Sequence, residues 1–204
     1  MEQVKVTPPK TPQQIRSGRM KLMLLLAVCA APVIASYLTY YFIKPEKRTN
    51  YGTLLDPRQY PMPKLGSQML DGKAQELDAF KGKWLMLNID SGACAAVCEK
   101  KLYAMRQLRT AQGKERTRIE RVWLITDQVA LDTRILREYD GTRLLRVTPE
   151  VLQKWLPVET GNSLHDHLYI IDPLGNVMMR YPKAADPNKI KRDIGKLLRA
   201  SGIG

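Results

Sequence analysis

Trp84-Leu-Met-Leu-Asn-Ile-Asp-Ser-Gly-Ala-Cys-Ala-Ala-Val-Cys98 is the stretch on which the fold turns. Residues 84–90 are a short apolar run that fits a buried strand. Ser91-Gly92-Ala93 reads as a loop, and from Cys94 the pattern is helical as far as about Gln112, where Gly113 stops it. Two cysteines therefore stand where a strand gives way to a helix. A helix N-terminus favours a thiolate, so at least one of the pair is expected to carry a lowered pKa.

Downstream, strands and helices alternate. Residues 121–126 form a second apolar run, 132–139 a short helix closed by Asp140-Gly141, and 144–147 a short strand. The next helix opens with Thr148 as N-cap and Pro149 in the first position. Residues 168–171 are a third strong strand, turned by Asp172-Pro173-Leu174-Gly175-Asn176 into 177–181. An amphipathic helix over 187–201 closes the chain. This order predicts an α/β fold with mixed pairing, and its β-α-β-α then β-hairpin-α arrangement is that of a thioredoxin-like fold.

Upstream, 69–73 read as a tight turn before a short amphipathic stretch ending at Phe80, and 44–64 as a Pro/Gly-rich linker. Residues 22–43, LMLLLAVCAAPVIASYLTYYFI, carry no charge. As a helix they reach roughly 33 Å, enough for a bilayer core. Pro32 is tolerable there, and Tyr37, Tyr40, Tyr41 and Phe42 suit an interfacial belt. A cleaved signal peptide ending near Val33-Ile34-Ala35 is the rival reading, but the apolar run continues past it. Leu26-Ala27-Val28-Cys29 resembles a lipid-attachment box with a bulky Val28, which leaves Cys29 as an apolar passenger. The expected layout is a tail over 1–21, one N-terminal transmembrane helix over 22–43, a linker over 44–64 and one domain over 65–204.

Lys+Arg number 33 against 20 Asp+Glu, a net charge of +13. Lys5, Lys10, Arg16, Arg19 and Lys21 precede the span, opposed only by Glu2, so the tail holds +4 and the remainder +9. That bias predicts a cytoplasmic N-terminus and an exported domain, and the tail lacks the pattern of a mitochondrial presequence. A single-pass protein of a bacterial inner membrane, its domain in the periplasm, is the expectation. There the positive charge meets no genomic nucleic acid; it meets anionic lipid or an acidic protein.

The residues that carry chemistry are few. Cys94 and Cys98, four apart on one helix face, can close a disulfide or ligate a metal together. A purely structural bridge is the bland alternative. The histidines are His165 and His167, just before the third strand, in the loop that returns to the cysteine end of the sheet. Asp166 is either a partner to an imidazole or a turn residue. Met178, Met179, Trp123 and Trp155 fit packing, 114–118 a solvated loop, and Asp127 and Asp132 a helix cap or the border of the site.

Asp90-Ser-Gly-Ala-Cys94-Ala-Ala-Val-Cys98 resembles the Cys-x3-Cys region of the Sco/SenC proteins, membrane-anchored thioredoxin-fold copper chaperones of cytochrome c oxidase assembly. Residues 126–133, with Asp127 and Asp132, and the 168–175 hairpin resemble the same family. The likeness spans about 65–200 plus the anchor. It departs in having Ala95 and Glu99 where the family has prolines. The family's Asp-His pair recurs as Asp166-His167 only two residues before Tyr169, whereas His165 keeps the distance better but lacks the Asp. The resemblance implies copper held by Cys94, Cys98 and one of His167 and His165, with a cytochrome c oxidase subunit or another respiratory assembly factor as partner. Two other readings stay open. One is a thiol–disulfide oxidoreductase with Cys94 as nucleophile and Cys98 resolving; the other is a non-catalytic anchored interaction module.

Overall fold

The computed structural model describes residues 12–43 and 50–203. The chain divides into two units, 1–48 and 49–204.

In the first, α1 (Pro12–Leu38) contains Pro32 and continues into a π-helical turn, Thr39–Ile43. This helix is long and apolar enough to cross a membrane. Its large apolar side chains, Leu22 to Tyr41, are exposed, as lipid-facing groups are in the absence of a core. It begins ten residues before the expected 22, because nothing in 12–21 breaks a helix; residues 1–11 of the expected tail lie outside the described residues. Tyr37 stacks on Tyr41, and Tyr40 meets Tyr41 edge-on, at the C-terminal end where the aromatic belt was expected.

The second unit is one six-stranded sheet, ordered β1-β6-β5-β2-β3-β4. The strands are β1 (Thr53–Leu54), β2 (Trp84–Asp90), β3 (Ile119–Ile125), β4 (Thr142–Arg146), β5 (Leu168–Ile171) and β6 (Val177–Tyr181). Pairs β2·β3 and β3·β4 are parallel, and β2·β5, β5·β6 and β1·β6 antiparallel. The helices are α2 (Ala96–Thr110), α3 (Thr133–Glu138), α4 (Pro149–Trp155) and α5 (Pro187–Ala200). The expected α/β thioredoxin-like architecture is what the chain adopts.

Strand alternation splits the core in two. Met86, Trp123, Ile125, Ile170 and Met179 face α2 and α5 with Cys98, Leu102, Met105, Ile190 and Ile194. Leu85, Leu87, Val122, Tyr169 and Ile171 face α4 with Leu152 and Trp155. Asn88 and Asp90, in step with Met86 along β2, therefore belong to the α2 face.

Three local expectations change. Residues 50–64, expected as linker, belong to the folded unit. The Tyr51 and Gly52 amides donate to the buried carboxylate of Asp193, β1 pairs with β6, and Leu55 N–H donates to Met178 O. A two-residue strand is too short to show a period, which is why composition alone read as linker. A Cβ on Gly52 would stand 2.6 Å from Met179 Sδ, so glycine lets this segment lie flat on the sheet. Residues 114–118, expected as a solvated loop, belong to a 3-10 helix, Gly113–Arg118. Its Arg118 donates to Leu198 O, Ser201 O and Ile203 O, tying off the end of α5. Finally, α2 starts at Ala96 and leaves Cys94 in the preceding loop.

Candidate functional site

The cysteine loop is a set of short hydrogen bonds. Ser91 N–H donates to Asp90 Oδ1, Ala93 N–H to Ser91 Oγ, and Cys94 N–H to Ser91 O. Gly92 N–H donates to Asp127 Oδ1 at 2.9 Å, and Val129 N–H reaches the same oxygen. A Cβ on Gly92 would lie 2.6 Å from Val129 O, so only glycine allows this approach. Arg146 donates to Asp127 O and Val129 O, bracing the second loop from β4. Burial pushes the Asp127 pKa up, but the Ser91 hydroxyl, the Gly92 and Val129 amides and the Arg146 charge together hold it below the usual carboxylate value. Asp127 thus borders the site, and Asp132 caps α3 by accepting from Arg134 N–H.

Cys94 adopts φ +41°, a left-handed conformation that side chains other than glycine rarely take. The turn aims its sulfur back at Cys98, and the two form a disulfide across a Cα–Cα distance of 5.1 Å. Cys98 is the third residue of α2, whose N-cap, Ala95, offers no capping side chain, so the first amides of the helix point at the sulfur end. Asn88 Nδ2 donates to Cys98 Sγ at 3.7 Å. Cys98 is 1% exposed and Cys94 5%. Exposed Ala93, Ala95, Ala96 and Val97 surround the pair.

Beside it lies a charged knot that the sequence reading did not anticipate. Lys101, one turn beyond Cys98, meets Asp90 Oδ2 at 3.1 Å and donates to Ile89 O and His165 O. Burial lowers its pKa, with the Asp90 carboxylate pulling the other way. A lysine three residues after a cysteine in a helix was the available signal, since i and i+3 share a face. His165 sits in a 3-10 turn, Leu164–Asp166, its Nδ1 3.8 Å from Asp90 Oδ1.

His167 is placed differently. It is fully buried, its Nδ1–H donates to Tyr181 O at 2.9 Å, and its Nε2 accepts from Glu159 N–H. Its ring meets Tyr169, a member of the α4-side cluster, edge-on. Burial lowers its pKa, so the ring is neutral near pH 7. Asp166 orients neither imidazole: it accepts from Ser163 N–H and Oγ and pairs with Lys183 at 2.9 Å, which holds its pKa far below the usual carboxylate range. The structure thus brings Cys94 to Cys98 and His165 to Asp90, and engages His167 with Tyr181 and Glu159. Among the described residues no three His, Cys, Asp or Glu side chains group as a metal site would require. Met179 is core and Met178 partly buried, in keeping with packing.

A mixed sheet whose central strand delivers a cysteine pair to the first turn of a helix defines a thioredoxin-like domain. Residues 84–201 match the family described as transmembrane-like, thioredoxin-like, C-terminal domain, and the chain belongs to that family. No curated protein matches it. Solved structures share the fold. BsSco, described with a disulfide switch and as a member of the Sco family of cytochrome c oxidase assembly proteins, is 18% identical. Its TM-score is 0.53, over 72% of this chain and 98% of its own. A SCO1/SenC family lipoprotein from Bacillus anthracis is 19% identical, with TM-score 0.51 over 71% and 99%. Yeast Sco1 with copper bound is 15% identical, with TM-score 0.55 over 70% and 90%. The Sco/SenC resemblance holds at the level of fold.

Proposed function

We propose that this chain is a membrane-anchored Sco-like protein that acts by thiol–disulfide exchange on a respiratory client, in the assembly of cytochrome c oxidase or a related complex. The observation that carries this reading is the Cys94–Cys98 bond at the N-terminus of α2, with Cys94 as the outer sulfur. In the oxidised form a client thiolate attacks Cys94 Sγ. A mixed disulfide forms, the Cys94–Cys98 bond breaks, and Cys98 leaves as a thiolate favoured by the helix amides and Asn88. A second client thiol, as thiolate, displaces Cys94. The client is oxidised by two electrons, the pair is reduced, and the two client protons end on Cys94 and Cys98 or in solvent. The same steps in reverse reduce a client disulfide, with Cys94 attacking and Cys98 resolving.

Anchoring is read from α1, and the positive-inside bias supports a bacterial inner membrane with a cytoplasmic N-terminus and a periplasmic domain. The test is trapping. Reduced full-length protein bearing Cys98→Ala should form a mixed disulfide with a client or a small disulfide through Cys94, and Cys94→Ala should not. A bond that resists dithiothreitol in the folded protein would overturn the reading and leave an anchored interaction module.

Copper held by Cys94, Cys98 and His165 or His167 is the second reading, favoured by the copper-bound yeast structure of the same fold. In the oxidised form the sulfurs are bonded to each other and offer no thiolate, and both His167 ring nitrogens are engaged, which leaves His165 as the available imidazole. Copper therefore requires the reduced pair. Anaerobic Cu(I) titration of the reduced protein checks it; tight binding lost in Cys94→Ala supports copper, and binding indifferent to that change rejects it.

A further inference from the structure

Helix α5 carries five bases, Lys189, Lys191, Arg192, Lys196 and Arg199, all on exposed positions. Its apolar residues Ile190, Ile194 and Leu198 are buried against the sheet, and its only acid, Asp193, is 2% exposed. At 100° per residue Lys189, Arg192, Lys196 and Arg199 fall opposite the buried Ile190, Ile194 and Leu198, and Lys191 lies on the flank of that buried stripe. The outer face therefore presents a run of positive charge edged by two acids, Asp193, whose Oδ1 is 3.8 Å from Lys196 Nζ, and Glu115, which pairs with Arg118. Several exposed bases elsewhere on the unit pair singly with acids, as in Lys64–Asp78, Lys73–Asp71 and Arg143–Glu120, whereas the five bases of α5 share that helix with one acid, Asp193. Nearby, Lys114 and Arg116 extend the basic surface from the 3-10 helix whose Arg118 is bonded to the end of α5.

The position of this face matters as much as its charge. The chain enters the folded unit directly beneath α5. Asp193 Oδ2 accepts from Tyr51 N–H at 2.8 Å and Gly52 N–H at 2.9 Å, Asp186 N–H donates to Tyr51 Oη, and Lys189 Nζ lies 5.1 Å above the Tyr51 ring. The apolar helix ends at Ile43, and seven residues can extend at most roughly 25 Å. Seven residues of chain thus separate the last residue of the apolar helix from the segment that lies beneath α5 in the folded unit.

We infer that the basic face of α5 docks on anionic lipid headgroups of the membrane in which the chain is anchored, fixing which side of the domain faces the bilayer. This inference rests on the anchored reading of α1. Charge complementarity and the short tether select lipid over an acidic protein. Juxtamembrane bases are attracted within a Debye length of an anionic surface, and a tether of roughly 25 Å is short enough to let α5 reach that range.

Lysine footprinting of the full chain in lipid nanodiscs tests it, comparing discs of phosphatidylcholine alone with discs containing about a third phosphatidylglycerol. Acetylation of Lys189, Lys191 and Lys196 should slow roughly three- to tenfold in the anionic discs only, with Lys73 unchanged, and recover at about 0.5 M salt. Equal rates in both discs, in chain that co-elutes with them, overturn the inference and leave the anchor standing. Protection that appears only when an oxidase subunit is added overturns it in favour of a protein partner. Chain that fails to co-elute with phosphatidylcholine discs refutes the anchor; binding then to anionic discs with the same three lysines protected upholds the docking face alone, and no binding refutes both.

Discussion

Replacing His167 by alanine should destabilise the folded unit by about 3–5 kcal/mol, the range for emptying a large buried ring site. The structure supplies the parts. The ring is fully buried, its Nδ1–H donates to Tyr181 O at 2.9 Å, its Nε2 accepts from Glu159 N–H at a weaker 3.4 Å, and it meets Tyr169 edge-on. Orphaning a buried carbonyl costs about 1–3 kcal/mol, and the lost ring burial and aromatic contact add about 2 kcal/mol more. His165→Ala removes a half-exposed ring and should cost less than about 1 kcal/mol. All three tryptophans, Trp84, Trp123 and Trp155, lie in the folded unit. Denaturant unfolding of the full chain in detergent, followed by tryptophan fluorescence, therefore reads that unit alone.

The pH dependence makes the assay sharper. Burial holds the His167 imidazole below its ordinary value of 6.5. The unfolded chain takes up a proton as pH falls through 6.5 and the native chain does not, so stability is full above 6.5 and declines below it until the folded value is reached. The slope is at most about 1.4 kcal/mol per pH unit. Between pH 7.5 and 5.5 wild type should lose stability in this way, His165→Ala should follow it, and His167→Ala should lack this component. A loss below about 1 kcal/mol for His167→Ala, or identical slopes in wild type and His167→Ala, would refute a structural role for His167.

Gly92→Ala should cost about 1–3 kcal/mol, because its Cβ meets a backbone oxygen, Val129 O, that has no rotamer through which to yield; the same unfolding assay reads it. Lys101→Met should cost about 2–3 kcal/mol, since it leaves the Asp90 carboxylate without its ammonium partner and strands His165 O. Asp90→Asn should recover part of that loss in the double variant, and strict additivity would contradict the coupling. Reducing the Cys94–Cys98 bond should lower stability by about 2 kcal/mol, the loop-closure value for so short a ring, read by repeating the unfolding in dithiothreitol.

Sequence patterns carried the α/β order because apolar runs such as Trp84–Asp90 and Leu168–Ile171 are buried on both faces and bounded by turns. They carried the cysteine pair because the two lie close in sequence at a strand–helix junction, although Cys94 reaches Cys98 from the loop at φ +41° and not from the expected helix face. The histidines were not separable in this way. His165 and His167 are two residues apart, yet a 3-10 turn sends one beside Asp90 on the α2 face while the other packs against Tyr169 of the α4-side cluster. That divergence depends on hydrogen bonds to Tyr181, Glu159 and Ser163, which no local period records. The β1 segment was hidden for a similar reason, since its partner is Asp193, some 140 residues away.

Asn88 shows where stability and chemistry part company. It is fully buried in the middle of β2, its Nδ2 donates to Cys98 Sγ at 3.7 Å, and its Oδ1 has no hydrogen-bond partner. A buried unsatisfied carbonyl is a cost, of about 1–3 kcal/mol, that an apolar side chain of similar volume would not incur. Asn88→Leu should therefore leave the oxidised unit as stable as wild type or more so. The same change removes the one side-chain donor on the sulfur that leaves as thiolate. The Cys98 thiol should become less acidic and, as a poorer leaving group, should slow the reduction of the disulfide by a client thiol by about threefold. Stopped-flow reduction and thiolate absorbance measure the two effects separately from unfolding. Faster exchange with unchanged Cys98 acidity would mean that Asn88 is a packing residue and that the helix amides alone stabilise the leaving sulfur.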